Sequence, residues 1–268
     1  MQELERLQRD GVIQPVKFSE WAAPLVPVVK QDGSLRLCGD YKVTVNSAAS
    51  MESYPLPRID NLLASLAGGR VFSKLDLSHA YLQLQLEEDS KKLDTISTHK
   101  GLFQYNCLPF GVASAPAIFQ RAIEGILQGI PHVFVYLDDI LLADSSREEH
   151  LVTLEKVLSR LEEHGIRLKR AKCKFMLPSV EYLGHCISGD GIRPTEEKRQ
   201  AIVNAPVPQD ISQLKSFLGL VNYYSKFLPC LSDTLAPLYR LLAKHQKWCW
   251  GTEQAKAFHK AKSQLASD

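Results

Sequence analysis

The sequence has no long apolar run, no paired cysteines and no strong charge of one sign, and each absence narrows the possibilities. No stretch reaches the roughly 20 apolar residues that a membrane-spanning helix needs. The first segment, MQELERLQRDG, is polar and amphipathic and lacks the apolar core of a secretion signal. We therefore expect a soluble, intracellular protein.

The six cysteines are scattered, and none forms the C-x-x-C pair that is typical of zinc sites. Reduced and mostly packed thiols are expected rather than a disulfide framework. A net charge of +2 favours neither a nucleic-acid partner nor its absence, so the clustering of basic residues matters more than their number. The sequence also contains no repeats and no low-complexity segments.

The hydrophobic pattern indicates mixed α and β structure, and 268 residues favour two or three subdomains. Strand-like runs occur at Val71–Leu77 and Leu82–Leu86, and Val133–Ala143 has the pattern of an apolar hairpin with an acidic bend. Ser146 opens a helix with a capping box. The apolar stripe of this helix is predicted to consist of Leu151, Leu154, Leu158 and Leu161. The last quarter, from Thr195 onward, is helical in pattern.

Carboxylates in apolar surroundings are the most informative feature of the sequence. Asp76 lies in the strand-like run FSKLDL, and Asp138 and Asp139 interrupt the apolar run VYLDDIL. Each has an ordinary interpretation, because Asp138 and Asp139 could form a polar turn and Asp76 could cap the end of a strand. Ionised carboxylates are nevertheless costly to bury unless they are paired or bind a cation.

Taken together, the three carboxylates predict a two-metal site. Carboxylates from two neighbouring strands can hold two divalent ions about 3.5–4 Å apart. Hard oxygen ligands favour Mg²⁺, which accepts substrate phosphates as further ligands. Such a site would activate an attacking 3′-hydroxyl and neutralise charge on a leaving pyrophosphate, which is phosphoryl transfer by positioning and electrostatics.

The segment Tyr136-Leu137-Asp138-Asp139 resembles the Y-x-D-D box of reverse transcriptases. Its surroundings resemble the Gypsy (Ty3-like) branch of long-terminal-repeat retrotransposons. Supporting motifs follow the order of the family over nearly the whole chain: Val29–Arg36, Gly39–Asn46, Tyr54–Asp60, Phe72–Leu77, Leu108–Pro116, Tyr182–His185 and Leu218–Tyr224. The resemblance implies the polymerase segment of a Pol polyprotein, an RNA-directed DNA polymerase that extends a primer on an RNA or DNA template.

The resemblance also implies an α+β fold, the right-hand polymerase. Its fingers would comprise 1–50 and 85–113, and its palm, an antiparallel sheet backed by helices, 51–84 and 114–190. A helical thumb would comprise 191–245, and 246–268 would begin a connection to an RNase H domain. The chain stops there, and protease and integrase motifs are absent, which favours one segment of a polyprotein or a truncated or domesticated copy.

The site residues implied by the resemblance fall into three groups. Two Mg²⁺ ions, for which Mn²⁺ can substitute, would be held by Asp76, Leu77, Asp138 and Asp139, with Asp139 often the less direct ligand. The deoxynucleoside triphosphate would contact Lys30, Arg36, His79, Ala80, Tyr81 and Phe110. The third group, the primer contacts, would be Leu183 and Gly184. Independently of the resemblance, the sequence places Arg167, Lys169, Arg170 and Lys172 together with no acid between His164 and Val180, which predicts contacts with the phosphates of primer and template.

Each assignment has a plainer alternative. Lys30 and Arg36 match phosphate-binding cations, although they could be an exposed basic hairpin. Tyr81 matches the aromatic gate against a ribose 2′-hydroxyl and Phe110 the floor of the nucleotide pocket, although both could be core aromatics. The Leu183–Gly184 turn, which matches the grip on the primer end, could be a plain strand end, and the basic run from Arg167 to Lys172 a solvated surface.

The expected partners are a primed RNA or DNA template and deoxynucleoside triphosphates, with RNase H and integrase domains of the same polyprotein and no membrane. The expected location is the cytoplasm, including virus-like particles, with the nucleus as an alternative. A non-catalytic nucleic-acid-binding remnant and a two-metal nuclease remain competing hypotheses. Asp94 departs from the family pattern, where the run is usually uncharged, and could disturb the fingers.

Overall fold

The computed structural model describes residues 2–29, 33, 35–48, 54–223, 231–243 and 247–266. The chain divides into two compact units, Met1–Pro178 and Ser179–Asp268. Lys30, a predicted nucleotide-binding residue, lies outside the described residues. Among the described residues, no helix is both long enough and apolar enough to cross a membrane.

The first unit contains two sheets. Its strands, in chain order, are β1 (Ile13–Val16), β2 (Ala23–Val29), β3 (Leu35–Gly39), β4 (Val71–Asp76), β5 (Thr95–Thr98), β6 (Gly101–Tyr105), β7 (Val133–Tyr136), β8 (Asp139–Asp144) and β9 (Lys174–Leu177). Its helices are α1 (Gln2–Arg9), α2 (Val45–Ala48), α3 (Ile59–Ser65), α4 (Glu88–Lys91), α5 (Ala115–Leu127) and α6 (Arg147–Glu163). Short 3₁₀ helices cover Tyr41–Val43, Ala80–Gln83 and Arg170–Lys172. The sheet orders are β1-β6-β5-β2-β3 and β7-β8-β4-β9.

The four-stranded sheet places the predicted carboxylates. β4 lies between β8 and β9 and is antiparallel to both. Its register with β8 aligns Asp76 with Asp139 at one end and Val71 with Asp144 at the other. β7 and β8 form the predicted acidic hairpin. Helices α5 and α6 pack against this sheet through a buried apolar core that includes Leu75, Phe119, Ile123, Ile140, Val157 and Leu161.

The predicted apolar stripe of α6 is wrong in part. Leu151 and Leu158 are exposed, whereas the buried face of the helix includes the polar residues His150 and Thr153. This face is turned inward because β8 ends in a buried carboxylate, Asp144, to which both polar side chains hydrogen-bond. Hydrogen bonding to a buried charge has overridden the hydrophobic periodicity.

The predicted strand Leu82–Leu86 is also wrong. The chain enters a 3₁₀ helix, Ala80–Gln83, after His79 adopts a left-handed conformation with φ of 50°. The three leucines in the run are partly buried against the core of the five-stranded sheet. The segment makes one isolated antiparallel bridge, between Gln85 and Cys107, and no regular strand. The alternation of leucines therefore reflects burial in a mostly irregular segment.

The second unit begins with a small sheet and continues as helices. Its strands are β10 (Ser179–Tyr182), β11 (His185–Ser188) and β12 (Gly191–Pro194), in the order β10-β11-β12. Its helices are α7 (Glu196–Val203), α8 (Ile211–Tyr223), α9 (Leu231–Arg240) and α10 (Thr252–Ala266). The predicted helical spacing holds in α8, where Leu214, Phe217 and Val221 are buried.

Candidate active site

The acidic turn between β7 and β8 brings the predicted carboxylates together. Asp139 begins β8 and pairs with Tyr136 on one side and with Asp76 on the other. Leu137 and Asp138 form the two-residue turn, and Leu137 has a φ of 52°. A left-handed conformation costs a non-glycine residue roughly 1–2 kcal/mol, so the turn must be stabilised by its surroundings.

Gln120 supplies that stabilisation from helix α5. Its side chain is fully buried. The amide oxygen accepts a hydrogen bond from the backbone N–H of Leu137 at 2.7 Å. The amide nitrogen donates to the carbonyl of Val135 at 2.8 Å and to Glu124 Oε1 at 2.7 Å. One buried amide therefore fixes the end of β7 and the turn that follows it.

Lysines face two of the three carboxylates. Lys74 Nζ lies 2.8 Å from Asp139 Oδ2, and Lys172 Nζ lies 3.6 Å from Asp76 Oδ2. All four side chains are partly exposed, so these ion pairs contribute little to stability. Their orientation shows that the region attracts cations.

The pKa of Asp138 reflects the negative charge that is concentrated at the turn. Its burial, and next the charge of Asp139, raise the pKa of its carboxyl, and Asp76 acts in the same direction. The nearby cations Arg36 and Lys172 oppose this rise in pKa. Three carboxylates that repel one another at the ends of adjoining strands are a hard-oxygen donor set that fits a divalent cation.

The carboxylates do not form a ready-made cage, however. Within the described part of the chain, no group of three histidine, cysteine, aspartate or glutamate side chains is arranged to hold a metal ion. Asp76 and Asp139 are instead turned toward Lys172 and Lys74. Binding a cation would therefore require these side chains to rotate away from the lysines.

An aromatic cluster lies beside Asp138. The ring of Tyr81 is 5.1 Å from that of Phe110 and 5.3 Å from that of Phe119. Burial, and next the charge of Asp138, raise the pKa of Tyr81 to about 12. The guanidinium of Arg36, on β3, lies 4.5 Å from the centroid of the Phe110 ring, within range of a cation–π interaction. The structure thus brings Arg36, Tyr81 and Phe110 together with the acidic turn.

Phe110 is held in place by a close backbone contact. Gly111 follows it with a φ of 106°, and a Cβ atom there would lie 2.4 Å from the carbonyl oxygen of Gly39. Only glycine fits this position, which draws the loop against β3. Asn46 secures the same loop, because its amide donates to the carbonyl of Gly111 at 2.9 Å and accepts from the N–H of Ala113 at 2.8 Å.

The segment after Asp76 is hydrogen-bonded to the predicted basic run. The N–H of Lys169 donates to the carbonyl of Asp76 at 2.8 Å. The predicted metal ligand Leu77 forms a bridge with Leu168. Gln83 joins the two segments as well, because its amide nitrogen donates to the carbonyls of both Ser78 and Arg167. His79 and Ala80 lie within this hydrogen-bonded loop, and the side chain of Ala80 is buried.

The basic run itself presents four exposed cationic side chains: Arg167, Lys169, Arg170 and Lys172. Their backbone lies against the end of β4. The predicted primer contacts Leu183 and Gly184 belong to the second unit, where they form the turn between β10 and β11. Their φ angles are 50° and 77°, and the hydroxyl of Tyr223 donates to the carbonyl of Leu183 at 3.0 Å.

Residues 28–187 match the sequence profile of the family described as reverse transcriptase (RNA-dependent DNA polymerase). The chain belongs to the reverse transcriptase family. The matched segment contains Asp76, Asp138 and Asp139. The family assignment made from the motifs is thereby confirmed.

Similar proteins place this reverse transcriptase among retrotransposons. An uncharacterized protein of Caenorhabditis elegans, K02A2.6, is 40% identical over 84% of the chain and 18% of its own length. The retrovirus-related Pol polyprotein from transposon 297 of Drosophila melanogaster is 32% identical over 99% of the chain and 26% of its own length. The Schizosaccharomyces pombe transposon Tf2-3 polyprotein is 34% identical over 99% of the chain and 20% of its own length. The two transposon polyproteins confirm the predicted retrotransposon type. The chain spans about a quarter or less of the length of each of the three relatives.

Solved structures confirm the predicted α+β polymerase class. Foamy viral protease-reverse transcriptase in complex with double-stranded DNA has a TM-score of 0.89 and 29% identity over 99% of this chain and 47% of its own. The same viral enzyme in complex with an RNA/DNA hybrid has a TM-score of 0.81 and 28% identity over 98% of this chain and 36% of its own. The boundaries proposed for fingers, palm and thumb stay predictions.

Three residues near the reverse transcriptase site have roles that sequence reasoning missed. Gln120 stabilises the acidic turn, Lys74 faces Asp139, and Asn46 secures the loop of Phe110. The sequence contained one usable signal, a glutamine on the otherwise apolar side of helix α5. Lys74 and Asn46 gave no comparable signal, because polar residues in half-exposed strands and loops are common.

Proposed function

We propose that this chain catalyses template-directed DNA synthesis as an RNA-directed DNA polymerase. The observation that carries the proposal is the pairing of Asp76 with Asp139 across β4 and β8, with Asp138 in the adjoining turn. Arg36, Tyr81 and Phe110 lie around the same turn. A carboxylate cluster beside a cation and an aromatic surface suits a nucleoside triphosphate.

Asp76, Asp138 and Asp139, with Leu77, would hold two divalent ions, Mg²⁺ or in its place Mn²⁺. When bound, such ions neutralise charge on the triphosphate and make the primer 3′-hydroxyl a better nucleophile. The protein's own contribution is to hold the carboxylates in place. Gln120 fixes the turn that bears Asp138, and the β4–β8 register sets the position of Asp76 relative to Asp139.

The nucleotide would be bound by the cluster beside the carboxylates. Arg36 supplies a cation for the triphosphate, together with Lys30, and the N–H groups of His79 and Ala80 supply further donors. Phe110 would lie beneath the nucleotide. The ring of Tyr81, which packs between Phe110 and Phe119, would stand beside the sugar and reject a 2′-hydroxyl.

The proposed macromolecular partner is a primed RNA or DNA template. The exposed basic run, Arg167 to Lys172, is attached to the strand that ends in Asp76, so it could contact phosphates close to the primer end. Leu183 and Gly184 would contact the primer. Because the relatives are polyproteins, we also propose RNase H and integrase domains in the same polyprotein and a cytoplasmic, particle-associated location, with the nucleus as the alternative.

Primer extension by the purified chain tests the proposal. The assay uses a labelled DNA primer on a homopolymer RNA template and, in parallel, on DNA, with Mg²⁺ or Mn²⁺. The parent is expected to extend the primer on both templates. Asp138→Asn should lower the rate at least 10²–10³-fold, since losing one preorganised electrostatic group commonly costs that much. Asp190→Asn, in an exposed turn of the second unit, is the matched control and should extend like the parent.

The assay also separates the competing hypotheses. A parent that binds primer–template and never extends it would support a nucleic-acid-binding remnant and overturn the polymerase. Degradation of the template without extension would support a nuclease. Substantial extension by Asp138→Asn would overturn the assignment of the carboxylates.

A further inference from the structure

A buried chain of hydrogen bonds joins the middle of β4 to the end of β8 that lies away from the acidic turn. The backbone N–H of Met176 donates to Ser73 Oγ at 3.1 Å, and Ser73 Oγ lies 2.6 Å from His150 Nε2. His150 Nδ1 lies 2.6 Å from Asp144 Oδ2. The side chains of Ser73, His150 and Asp144 are at most 1% exposed.

Serine, histidine and aspartate in this order also make up a hydrolytic triad, but burial excludes that role here. A serine nucleophile must reach the atom that it attacks. Ser73 is 0% exposed, and its oxygen already accepts the N–H of Met176. The chain of hydrogen bonds must therefore act within the protein.

The carboxylate of Asp144 fixes the direction of its hydrogen bond with His150, and a neutral imidazole then sets the direction of the bond with Ser73. Asp144 also accepts from Thr153 Oγ1 at 3.0 Å and faces His132 Nδ1 at 2.9 Å. Because an ionised carboxylate only accepts, His150 must carry a proton on Nδ1. Its Nε2 then accepts the hydroxyl of Ser73, whose oxygen accepts from Met176. This arrangement satisfies each of these buried groups, and such complete networks are rigid.

The network includes residues of three strands of the four-stranded sheet, the residue before the fourth strand, and the helix behind the sheet. Ser73 is on β4, three positions before Asp76, and Asp144 ends β8, which begins with Asp139. Met176 is on β9, His150 is on α6, and His132 immediately precedes β7. The two strands that carry the carboxylates are thus joined, away from the acidic turn, through one serine, one histidine and one aspartate.

We propose that Ser73, His150 and Asp144 are positioning residues that hold β4 and β8 at the separation and register needed to align Asp76 with Asp139. This role rests on the proposed polymerase activity. A displacement of about 1 Å in reacting groups can cost roughly 10²-fold in rate. A hydrogen-bond network that joins these two strands away from the turn can therefore affect the rate without contacting substrate.

Two variants of the same network provide the test. Ser73→Ala removes one oxygen and breaks the link to β4, whereas Thr153→Val removes a donor to the same Asp144 and leaves that link intact. Both should lower the unfolding temperature. Only Ser73→Ala should lower the single-turnover rate of nucleotide addition, by about 10-fold or more, with KM for the nucleotide nearly unchanged. Single-turnover rates with enzyme in excess do not depend on the fraction of folded protein.

His150→Ala sharpens the test, because residues that act as one unit are not additive. The double variant Ser73→Ala with His150→Ala should be no slower than His150→Ala alone. Parental single-turnover rates in Ser73→Ala, or additive losses in the double variant, would overturn the positioning role and leave the network as a stabilising contact.

Hydrogen exchange followed by mass spectrometry gives a readout that needs no activity. The amides of β4 and β8 should exchange faster in Ser73→Ala than in Thr153→Val at matched distance from the unfolding temperature. Equal exchange in the two variants would overturn the inference. If the parent chain never extends a primer, the polymerase proposal fails, and this exchange comparison alone then supports or overturns the role of the network in fixing the strands.

Discussion

The two ends of the β4–β8 strand pair both carry aspartates, and the protein surrounds them in opposite ways. At the acidic turn, Asp76 and Asp139 are partly exposed and each faces one lysine. At the far end, Asp144 is 1% exposed and lies within hydrogen-bond distance of His132, His150 and Thr153 side chains. The spacing between the two ends is fixed by one antiparallel ladder.

The difference is that the hydrogen bonds of Asp144 stabilise the fold, whereas the carboxylates of the acidic turn are accessible to a cation. The oxygens of Asp144 already lie within hydrogen-bond distance of three side chains of the protein itself, which stabilise the carboxylate without an external ion. The carboxylates of the turn instead repel one another, and the pKa of Asp138 is raised by its burial and by Asp139. A bound cation would therefore lower the electrostatic repulsion within this turn.

The largest expected effect is that substitutions at the two ends change different quantities, activity at one end and stability at the other. Asp139→Asn should lower primer extension by about 10²–10³-fold and leave the free energy of unfolding nearly unchanged, since it removes a charge that repels Asp138. Asp144→Asn should lower the free energy of unfolding by about 3 kcal/mol, because the amide places donors opposite donors. Urea unfolding and primer extension measure the two quantities. Equal destabilisation by both substitutions would erase the distinction between the ends.

A second prediction concerns what surrounds the acidic turn. Tyr81→Ala should raise incorporation of ribonucleotides relative to deoxynucleotides by about 10–100-fold, because it removes a clash with the 2′-hydroxyl. Tyr81→Phe is the matched control, because it keeps the ring between Phe110 and Phe119 and should keep the discrimination. Steady-state kinetics with each nucleotide checks both variants. If Tyr81→Ala stays active with unchanged discrimination, the ring is only part of the core.

A third prediction asks whether the cations near the turn serve nucleic acid. Neutralising Lys169, Arg170 and Lys172 together should weaken primer–template binding. It should also reduce the slope of log K against log salt by about 0.9 for each lost phosphate contact, judged by the value for B-DNA. The control changes three exposed lysines elsewhere: Lys17, Lys156 and Lys260. Fluorescence anisotropy across a salt series gives the slope, and a slope equal to that of the parent would mean that the run is a solvated surface.

The smallest expected effect concerns Asp94, a buried carboxyl outside the β4–β8 strand pair that can be compared with Asp144. Asp94 is 6% exposed, and among the described residues its Oδ1 has no hydrogen-bond partner. Burial raises the pKa of Asp94 to about 7. Asp94 therefore lacks at this oxygen the donors that stabilise Asp144, and its protonated form is the stable one in the folded state.

The consequence is a stability that falls as pH rises. Because the folded-state pKa of Asp94 exceeds its unfolded value, the folded state binds more protons between about pH 4 and pH 7. The contribution of Asp94 to stability is fully present below its unfolded-state pKa, and it is lost as pH rises through its folded-state pKa. Asp94→Asn should flatten this dependence and raise the unfolding temperature at pH 8 by about 5 °C. The exposed control Asp89→Asn should change neither, and a parental pH profile in Asp94→Asn would refute the assignment.

The acidic hairpin was predictable from the sequence because local pattern and chemistry agree there. An apolar run with two adjacent aspartates indicates a hairpin with a charged bend, and the structure forms this hairpin between β7 and β8. The helix-forming segments of α5 and α6 were predictable for the same reason. Pro116 near the start of α5 and Ser146 before α6 are local signals that need no distant partner.

The inward face of α6 was not predictable, because it depends on a distant carboxylate. Periodicity alone favours a leucine face, and Leu151 and Leu158 are instead exposed. His150 and Thr153 are buried because Asp144 lies behind them, and no single-segment pattern contains that information. The role of Gln120 was hidden for a similar reason, since the N–H that it binds belongs to a turn formed by another segment.

The position of β4 inside its sheet has a consequence for how the protein is made. Lys74 pairs with Lys174, one hundred positions later in the chain. At about 5–20 residues per second of translation, one edge of β4 waits roughly 5–20 seconds for its partner to be synthesised. During that interval the strand that ends in Asp76 exposes unpaired backbone groups, which are a template for wrong pairing. The strand that ends in Asp76 is therefore among the last parts of the first unit to complete its pairing during synthesis on the ribosome.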